Sequence, residues 1–214
     1  MSVNPWFGQP AESLGTAILL PGARGGISTP LMHWPATLLT EAGWSVLGVA
    51  WDENRIERGG AASEVRRCAS AALNQAPPGQ PVLIVAKSLG TLALPWAVEH
   101  GLPGVWLTPL LSDAGVVAAV EEARQVTLLV GGTDDPHWQR SIAVGPGVTL
   151  LELPGANHGL QQPGHWRRSL LHQVEIFDRL SLLAEQMLDA TRTDGDRPLS
   201  RAPTAHQPAP TPGQ

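Results

Sequence analysis

The sequence predicts an α/β protein with a mostly parallel sheet of about six strands and helices on both faces. Short apolar runs rich in β-branched residues recur along the chain, and segments of helical length separate them. Within the most apolar runs, successive residues are hydrophobic instead of alternating with polar ones. Continuous apolarity is typical of strands that are buried on both faces, as they are in parallel sheets covered by helices.

The strands and helices alternate in chain order. The predicted strands cover residues 16–20, 44–51, 82–86, 105–108, 126–130 and 148–153. The predicted helices cover residues 31–42, 61–75, 89–100 and 114–123, with a short one near Trp138. A last helix at 165–188 carries apolar side chains three or four residues apart, the spacing of a helix that lies along the core. Right-handed crossovers are expected between the parallel strands.

Length and composition allow one domain and a tail. A chain of 214 residues, 43% of them hydrophobic and 15% charged, can bury one substantial core. We expect residues 1–189 to form that domain. From residue 190 onward the chain has five prolines and Leu199 as its one large aliphatic side chain. This Pro-rich segment, 190–214, is predicted to be a disordered tail because it has too little apolar surface to bury.

Several classes of partner are not expected. The net charge is −5, and the 13 arginines and single lysine form no basic block, so neither nucleic acid nor an anionic membrane is indicated as a partner. No stretch has the length and apolarity of a membrane span or a signal peptide, and a soluble, cytoplasmic protein is expected. No residues have metal-ligand spacing, so no metal or other cofactor is predicted. The lone cysteine, Cys68, is expected to be a small buried hydrophobic residue.

One strand end has the pattern of a nucleophilic serine. The apolar run 82–86 stops at Ala86-Lys87-Ser88-Leu89-Gly90, and a helical pattern follows at once. Such a sharp reversal strains the backbone at Ser88, and it needs small residues two positions before and two after, here Ala86 and Gly90. Taken alone, the segment also fits a serine that caps the next helix. A phosphate-binding loop is excluded, because the glycines it needs would fall at positions 81 and 86.

Three other strand ends carry residues suited to chemistry. In open parallel sheets, ligands bind at the carboxyl ends of the strands. There the chain has a glycine-rich loop at 21–26, two acids at Asp134 and Asp135, and a histidine, His158, within Asn157-His158-Gly159.

The serine, acid and histidine motifs together resemble the α/β-hydrolase family over about residues 15–188. Their order along the chain, Ser then Asp then His, is the order that this family uses. Two positions depart from the usual pattern: Ala86 stands where glycine is common, and Pro21 stands where the family often has histidine before Gly22. The short core is similar to the small lidless bacterial hydrolases of the dienelactone-hydrolase type, which use a cysteine where this chain has Ser88.

The resemblance implies a role for each motif. Ser88 would be the nucleophile, His158 the general base and then acid, and Asp135 the carboxylate that orients the histidine. Asp135 is favoured over Asp134 because Gly132 to Pro136 matches the family pattern Gly-x-x-Asp-Pro. The backbone N–H groups of Ala23 and Leu89 would form the oxyanion hole. The candidates for lining the substrate pocket are Arg24, Trp34 and Trp138, although a structural role is favoured for Trp138 and its neighbour His137.

The implied function is a serine hydrolase that cleaves carboxylic esters, or thioesters, through an acyl-enzyme. Only about eighteen residues separate 108 from 126, where many family members insert a lid, so the site should be open to small-molecule esters. Two alternatives remain at this stage. A binding or scaffold protein could keep this fold without catalysis, and an acyltransferase could use the same three residues. Substrate identity and oligomeric state are not predicted.

Overall fold

The computed structural model describes residues 2–52, 56 and 60–195, and within them the chain forms one seven-stranded sheet. The strands run in the spatial order β1-β3-β2-β4-β5-β6-β7. Their bounds are β1 Ser2–Pro5, β2 Gly15–Leu20, β3 Trp44–Ala50, β4 Val82–Lys87, β5 Gly104–Leu107, β6 Thr127–Gly132 and β7 Val148–Leu153. All neighbouring strands are parallel except β1, which pairs antiparallel with β3 at one edge.

Helices cover both faces of the sheet, as the sequence predicts. Their bounds are α1 Pro30–Glu41, α2 Ala61–Leu73, α3 Leu94–Glu99, α4 Ala114–Glu122 and α5 Trp166–Gly195. The core between the sheet and helices α1 and α5 is built from side chains such as Leu39, Val85 and Leu180. The opposite core, under α2, α3 and α4, contains Ile84, Trp96 and Val120. Each fully buried aliphatic side chain of this kind contributes about 1.5–3 kcal/mol to folding.

The structure differs from the sequence prediction in three places. Strand β1 was not predicted, because Ser2–Pro5 is a short, largely exposed edge strand without an apolar run. The short helix near Trp138 is absent, and the residues around Trp138 form turns. Helix α5 continues through the predicted start of the tail at residue 190 and ends at Gly195. The rest of the predicted tail, 196–214, lies outside the described residues.

The strand order creates a crevice at one end of the sheet. From β2 the chain crosses to β3 on one side, and it then returns past β2 to β4 on the other side. The loops that follow β2 and β4 therefore leave the sheet in opposite directions and open a gap between them, which is the usual ligand site in this class of sheet. The glycine-rich loop and Ser88 both lie at this switch point.

The lone cysteine lies in the core beneath α2. Cys68 is fully buried, and burial raises the pKa of its thiol to about 12. The thiol therefore stays protonated near neutral pH, so it is a poor nucleophile. In the part of the chain that the structure describes, no helix is long and apolar enough to cross a bilayer.

Two backbone segments approach each other closely at the crevice, at Gly90 and at the end of β2. A side-chain carbon at position 90 would collide with the carbonyl group of Leu20, which belongs to a central strand and has no room to move. The absence of a side chain at Gly90 is therefore what lets the segment after Ser88 cross the end of β2.

We predict that Gly90→Ala lowers the free energy of unfolding by about 3 kcal/mol, because an added methyl group would have to displace strand backbone. Denaturant unfolding measures this loss. Gly79→Ala is the control: position 79 has open space around it but a positive φ of 82°, so it should lose only about 1 kcal/mol from backbone strain. Equal losses in the two variants would show that crowding at Gly90 is not what constrains this corner.

Candidate active site

The corner after β4 holds Ser88 in a strained conformation. Strand β4 ends at Lys87, and a 3-10 helix begins directly at Ser88 and runs to Ala93. Ser88 has a φ of 47°, in the left-handed region that residues other than glycine rarely adopt. Such a conformation costs about 1–3 kcal/mol and persists only where the surroundings enforce it. Ser88 is held in this conformation by the buried strand β4 before it and by the close crossing at Gly90 after it.

A buried threonine fixes the corner from behind. The Thr91 hydroxyl donates to the carbonyl oxygen of Ser88 at 2.6 Å and accepts from the backbone N–H of Leu110 at 3.1 Å. Thr91 is fully buried, so both bonds are shielded from water. This single side chain connects the serine corner to the loop after β5. A threonine inside an apolar run gives no separate signal in the sequence, and the role of Thr91 was not predicted.

Three side chains from distant strand ends form a hydrogen-bonded row. The Ser88 Oγ lies 2.8 Å from His158 Nε2, and His158 Nδ1 lies 2.8 Å from Asp135 Oδ2. An ionised carboxylate only accepts hydrogen bonds, so Nδ1 carries the hydrogen that points to Asp135. Nε2 is then the unprotonated nitrogen, free to accept the hydrogen of the Ser88 hydroxyl. This is the arrangement that activates a serine for nucleophilic attack.

Burial differs along the row. The Asp135 side chain has 0% exposed area, whereas the His158 side chain keeps 33%. Asp135 satisfies its second oxygen, Oδ1, by accepting the backbone N–H of His137 at 2.9 Å. Asp134, by contrast, lies at the surface and accepts a hydrogen bond from the neighbouring Thr133 hydroxyl. Of the two acids, Asp135 is the one that contacts His158.

The loops that carry the acid and the histidine are tied to each other. The backbone N–H of Asp134 donates to the carbonyl oxygen of Ala156 at 2.9 Å. The Thr133 hydroxyl accepts from the backbone N–H of Gly155 at 2.7 Å. These two bonds connect the loops directly and help to hold Asp135 and His158 next to each other.

The glycine-rich loop after β2 lies against the serine. A methyl group on Gly22 would be 3.6 Å from the Ser88 Cβ, so the backbone of this loop approaches Ser88 closely. The indole N–H of Trp51 donates to the carbonyl oxygens of Pro21 and Gly22, at 3.1 and 3.2 Å. All peptide bonds in the described residues are trans, so the N–H of Ala23 points in the direction opposite to the Gly22 carbonyl oxygen, away from Trp51.

The three pocket candidates lie in different surroundings. Arg24 is exposed on the loop beside the serine. Trp34 is 52% exposed and lies in a groove between α1 and α5, together with Leu170, Val174 and Phe177. None of the three central residues, Ser88, Asp135 and His158, lines that groove.

Trp138 is part of the core. It is 9% exposed, its ring packs directly on Gly131, and its indole N–H donates to Glu152 at 2.8 Å. Its backbone N–H also donates to the carbonyl oxygen of Asp135. Trp138 therefore supports the acid loop from below. The structural role that the sequence favoured describes this position, and a contact between Trp138 and the substrate stays a prediction.

Two further polar side chains lie near the row. The His137 ring lies 5.1 Å from the His158 ring, and its Nδ1 is 3.2 Å from the Ser112 hydroxyl. Lys87, directly before Ser88, is half-buried. Among the described residues, no group of three His, Cys, Asp or Glu side chains is arranged to hold a metal ion.

Solved structures with the same architecture are numerous. One is Est1E from Butyrivibrio proteoclasticus, solved with ferulic acid. It superposes on this chain with a TM-score of 0.58 at 13% identity, and the match covers 89% of this chain and 94% of Est1E. Mouse alpha/beta hydrolase domain-containing protein 10 also superposes, with a TM-score of 0.59 at 14% identity. This match covers 86% of this chain and 100% of the mouse protein. The chain has the α/β-hydrolase fold. Paleococcus ferrophilus monoacylglycerol lipase is a further match, with a TM-score of 0.60 at 14% identity over 85% and 99% of the two chains.

The chain is a minimal version of the α/β-hydrolase fold. The segment between β5 and β6 contains only a loop and helix α4, so no cap domain is inserted there. No protein-family model and no curated protein matches the sequence. The likeness is therefore one of fold, and what the site does must be argued from the site itself.

Proposed function

We propose that the protein is a serine hydrolase that cleaves small carboxylic esters through an acyl-enzyme. The observation that carries this proposal is the continuous row from Ser88 through His158 to Asp135, with both contacts at 2.8 Å. A serine hydroxyl is a weak nucleophile at neutral pH, and this row supplies the base and the orienting acid that it needs.

The proposed reaction uses each residue in turn. His158 Nε2 takes the proton of Ser88 as Oγ attacks the ester carbonyl carbon, and Asp135 stabilises the imidazolium that forms. The tetrahedral intermediate collapses, and the alcohol leaves with the proton that His158 returns. Water then attacks the acyl-enzyme, His158 accepts its proton, and the same sequence releases the acid and restores Ser88.

The backbone N–H groups of Ala23 and Leu89 are proposed to bind the oxyanion. The position of Leu89 directly after the strained Ser88 supports this role, as does the loop that brings Ala23 past the serine with its N–H turned away from Trp51. Each such donor is worth about 3–4 kcal/mol to the transition state.

The openness of the site supports small or exposed esters as substrates. Ala23 and Arg24 are exposed, His158 keeps a third of its surface, and the short β5–β6 segment builds no cap. Among the structural neighbours, the Paleococcus protein is described as a monoacylglycerol lipase. Thioesters use the same chemistry and fall within the proposal.

We predict that a fluorophosphonate probe labels the wild-type protein and fails to label Ser88→Ala, because the probe reacts only with an activated serine. Mass-spectrometric mapping of the modified peptide measures this. Ser112→Ala is the matched control, since Ser112 also contacts a histidine near the site and its loss should leave labelling intact. If folded wild-type protein took up no probe and hydrolysed no p-nitrophenyl ester, a non-catalytic binding protein would be the better description.

We predict that Asp135→Asn lowers kcat for a p-nitrophenyl ester by about 10⁴-fold, because an amide in place of the carboxylate leaves His158 in the wrong tautomer. Steady-state kinetics gives the factor. The neighbouring substitution Asp134→Asn removes the same charge at a surface position and should change kcat less than about threefold, in line with ordinary surface substitutions. A larger loss from Asp134→Asn than from Asp135→Asn would reverse the assignment of the acid.

A further inference from the structure

The single lysine of the chain lies at the candidate active site. Lys87 is the last residue of β4 and directly precedes Ser88. Side chains alternate between the faces of a strand, so Lys87 is on the same face as Val85. That face carries the core that includes Ala156 and Leu160, the residues that flank the His158 loop.

The Lys87 ammonium and the serine lie beside the same glycine. A methyl group on Gly22 would be 3.9 Å from Lys87 Nζ and 3.6 Å from the Ser88 Cβ. The ammonium and the Ser88 Cβ can therefore be no farther apart than these two distances added together. An ester whose carbonyl carbon lies at Ser88 Oγ would have the ammonium within a few bonds of the reacting atoms.

The ammonium has no partner of its own within the residues that the structure describes. It makes no hydrogen bond or ion pair there. Burial lowers the pKa of Lys87 from its ordinary value of 10.5, and the negative charge of Asp135 partly offsets this. No hydrogen bond joins Lys87 to Asp135, whose two oxygens accept from His158 and from the backbone N–H of His137.

A half-buried ammonium without a partner is unfavourable unless something compensates for its lost hydration. The same position could hold an uncharged side chain at lower cost. A second cation, Arg24, stands exposed two residues from Gly22 in the same loop, and no ion pair neutralises it within the described part of the chain. The protein as a whole carries a net charge of −5, so this pair of cations is a local exception.

We propose that Lys87 binds an anionic group of the substrate, so that the preferred substrates are short esters with a carboxylate or phosphate a few bonds from the scissile carbonyl. This inference rests on the proposed hydrolase function. The anionic group can belong to the acyl part or to the alcohol part of the ester, since the ammonium lies beside the serine in either case. Arg24, at the mouth of the site, adds attraction for the same charge.

The test uses two matched pairs of esters. For the acyl part, the mono-p-nitrophenyl ester of adipic acid is compared with its methyl ester, which lacks the charge. For the alcohol part, 4-acetoxybenzoate is compared with methyl 4-acetoxybenzoate. The readout is the ratio of kcat/KM for the anionic ester to kcat/KM for the neutral ester of the same pair.

We expect wild-type protein to prefer the anionic ester of at least one pair by about 10–100-fold, the range of a charge-assisted hydrogen bond. In Lys87→Met the ratio should fall to near one, and Lys87→Arg should keep part of the preference. Arg124→Met is the matched control: Arg124 is exposed just before β6, at the opposite end of the strands, and its loss should leave the ratio intact.

Three outcomes would overturn the inference while leaving the proposed function intact. The first is the absence of an anionic preference in both pairs with wild-type protein, a result that needs no variant to fold. The second is a preference that survives in folded Lys87→Met. The third is an equal loss on the anionic and the neutral ester, which would make Lys87 a support for the row and not a substrate contact. Turnover of the neutral esters reports the proposed function separately, and failure of all four esters would overturn both.

Discussion

The site depends on one geometric constraint, the crossing of the segment after Ser88 over the end of β2. Gly90 lies against the carbonyl group of Leu20, and because of this contact the chain must turn sharply as it leaves β4. The turn strains the backbone at Ser88, which has a φ of 47°. The Ser88 hydroxyl contacts the His158 ring. Thr91 locks the same corner by accepting from the loop after β5 while it donates to the Ser88 carbonyl oxygen. A strained serine held from both sides is positioned before any substrate arrives, which is the condition for efficient attack.

The three residues of the row differ in burial, and this difference fixes the role that each can take. Asp135 is buried, and each of its oxygens accepts a hydrogen bond. His158 is partly exposed and lies between Asp135 and the Ser88 hydroxyl. A buried, fully hydrogen-bonded carboxylate keeps a fixed position and holds the imidazole in one tautomer. The bonds from Asp134 and Thr133 to the histidine loop keep the acid and the histidine together even though they lie 23 residues apart in the chain.

Much of the fold could be predicted from the sequence, because the central strands are apolar at nearly every position and punctuated by small residues. Strand β1 escaped prediction because an exposed edge strand such as Ser2–Pro5 buries too little to leave a pattern. The residues of the row follow strand ends, where a parallel sheet concentrates its chemistry, so a pattern of position and order was enough to single them out. The contacts of three other side chains could not be predicted, because they join segments that are distant in the sequence. These side chains are Trp51, Thr91 and Lys87. The same holds for Trp138, whose place beneath Gly131 is set by tertiary packing.

The central claim is that the corner, the row and the glycine-rich loop converge on a single reacting centre. A crystal structure of the protein after reaction with a small fluorophosphonate tests this most directly. We expect phosphorus bonded to Ser88 Oγ and the phosphoryl oxygen within about 2.7–3.1 Å of the N–H groups of both Ala23 and Leu89. We also expect His158 still to contact Asp135. An adduct on another residue, or a phosphoryl oxygen that meets neither N–H group, would contradict the account.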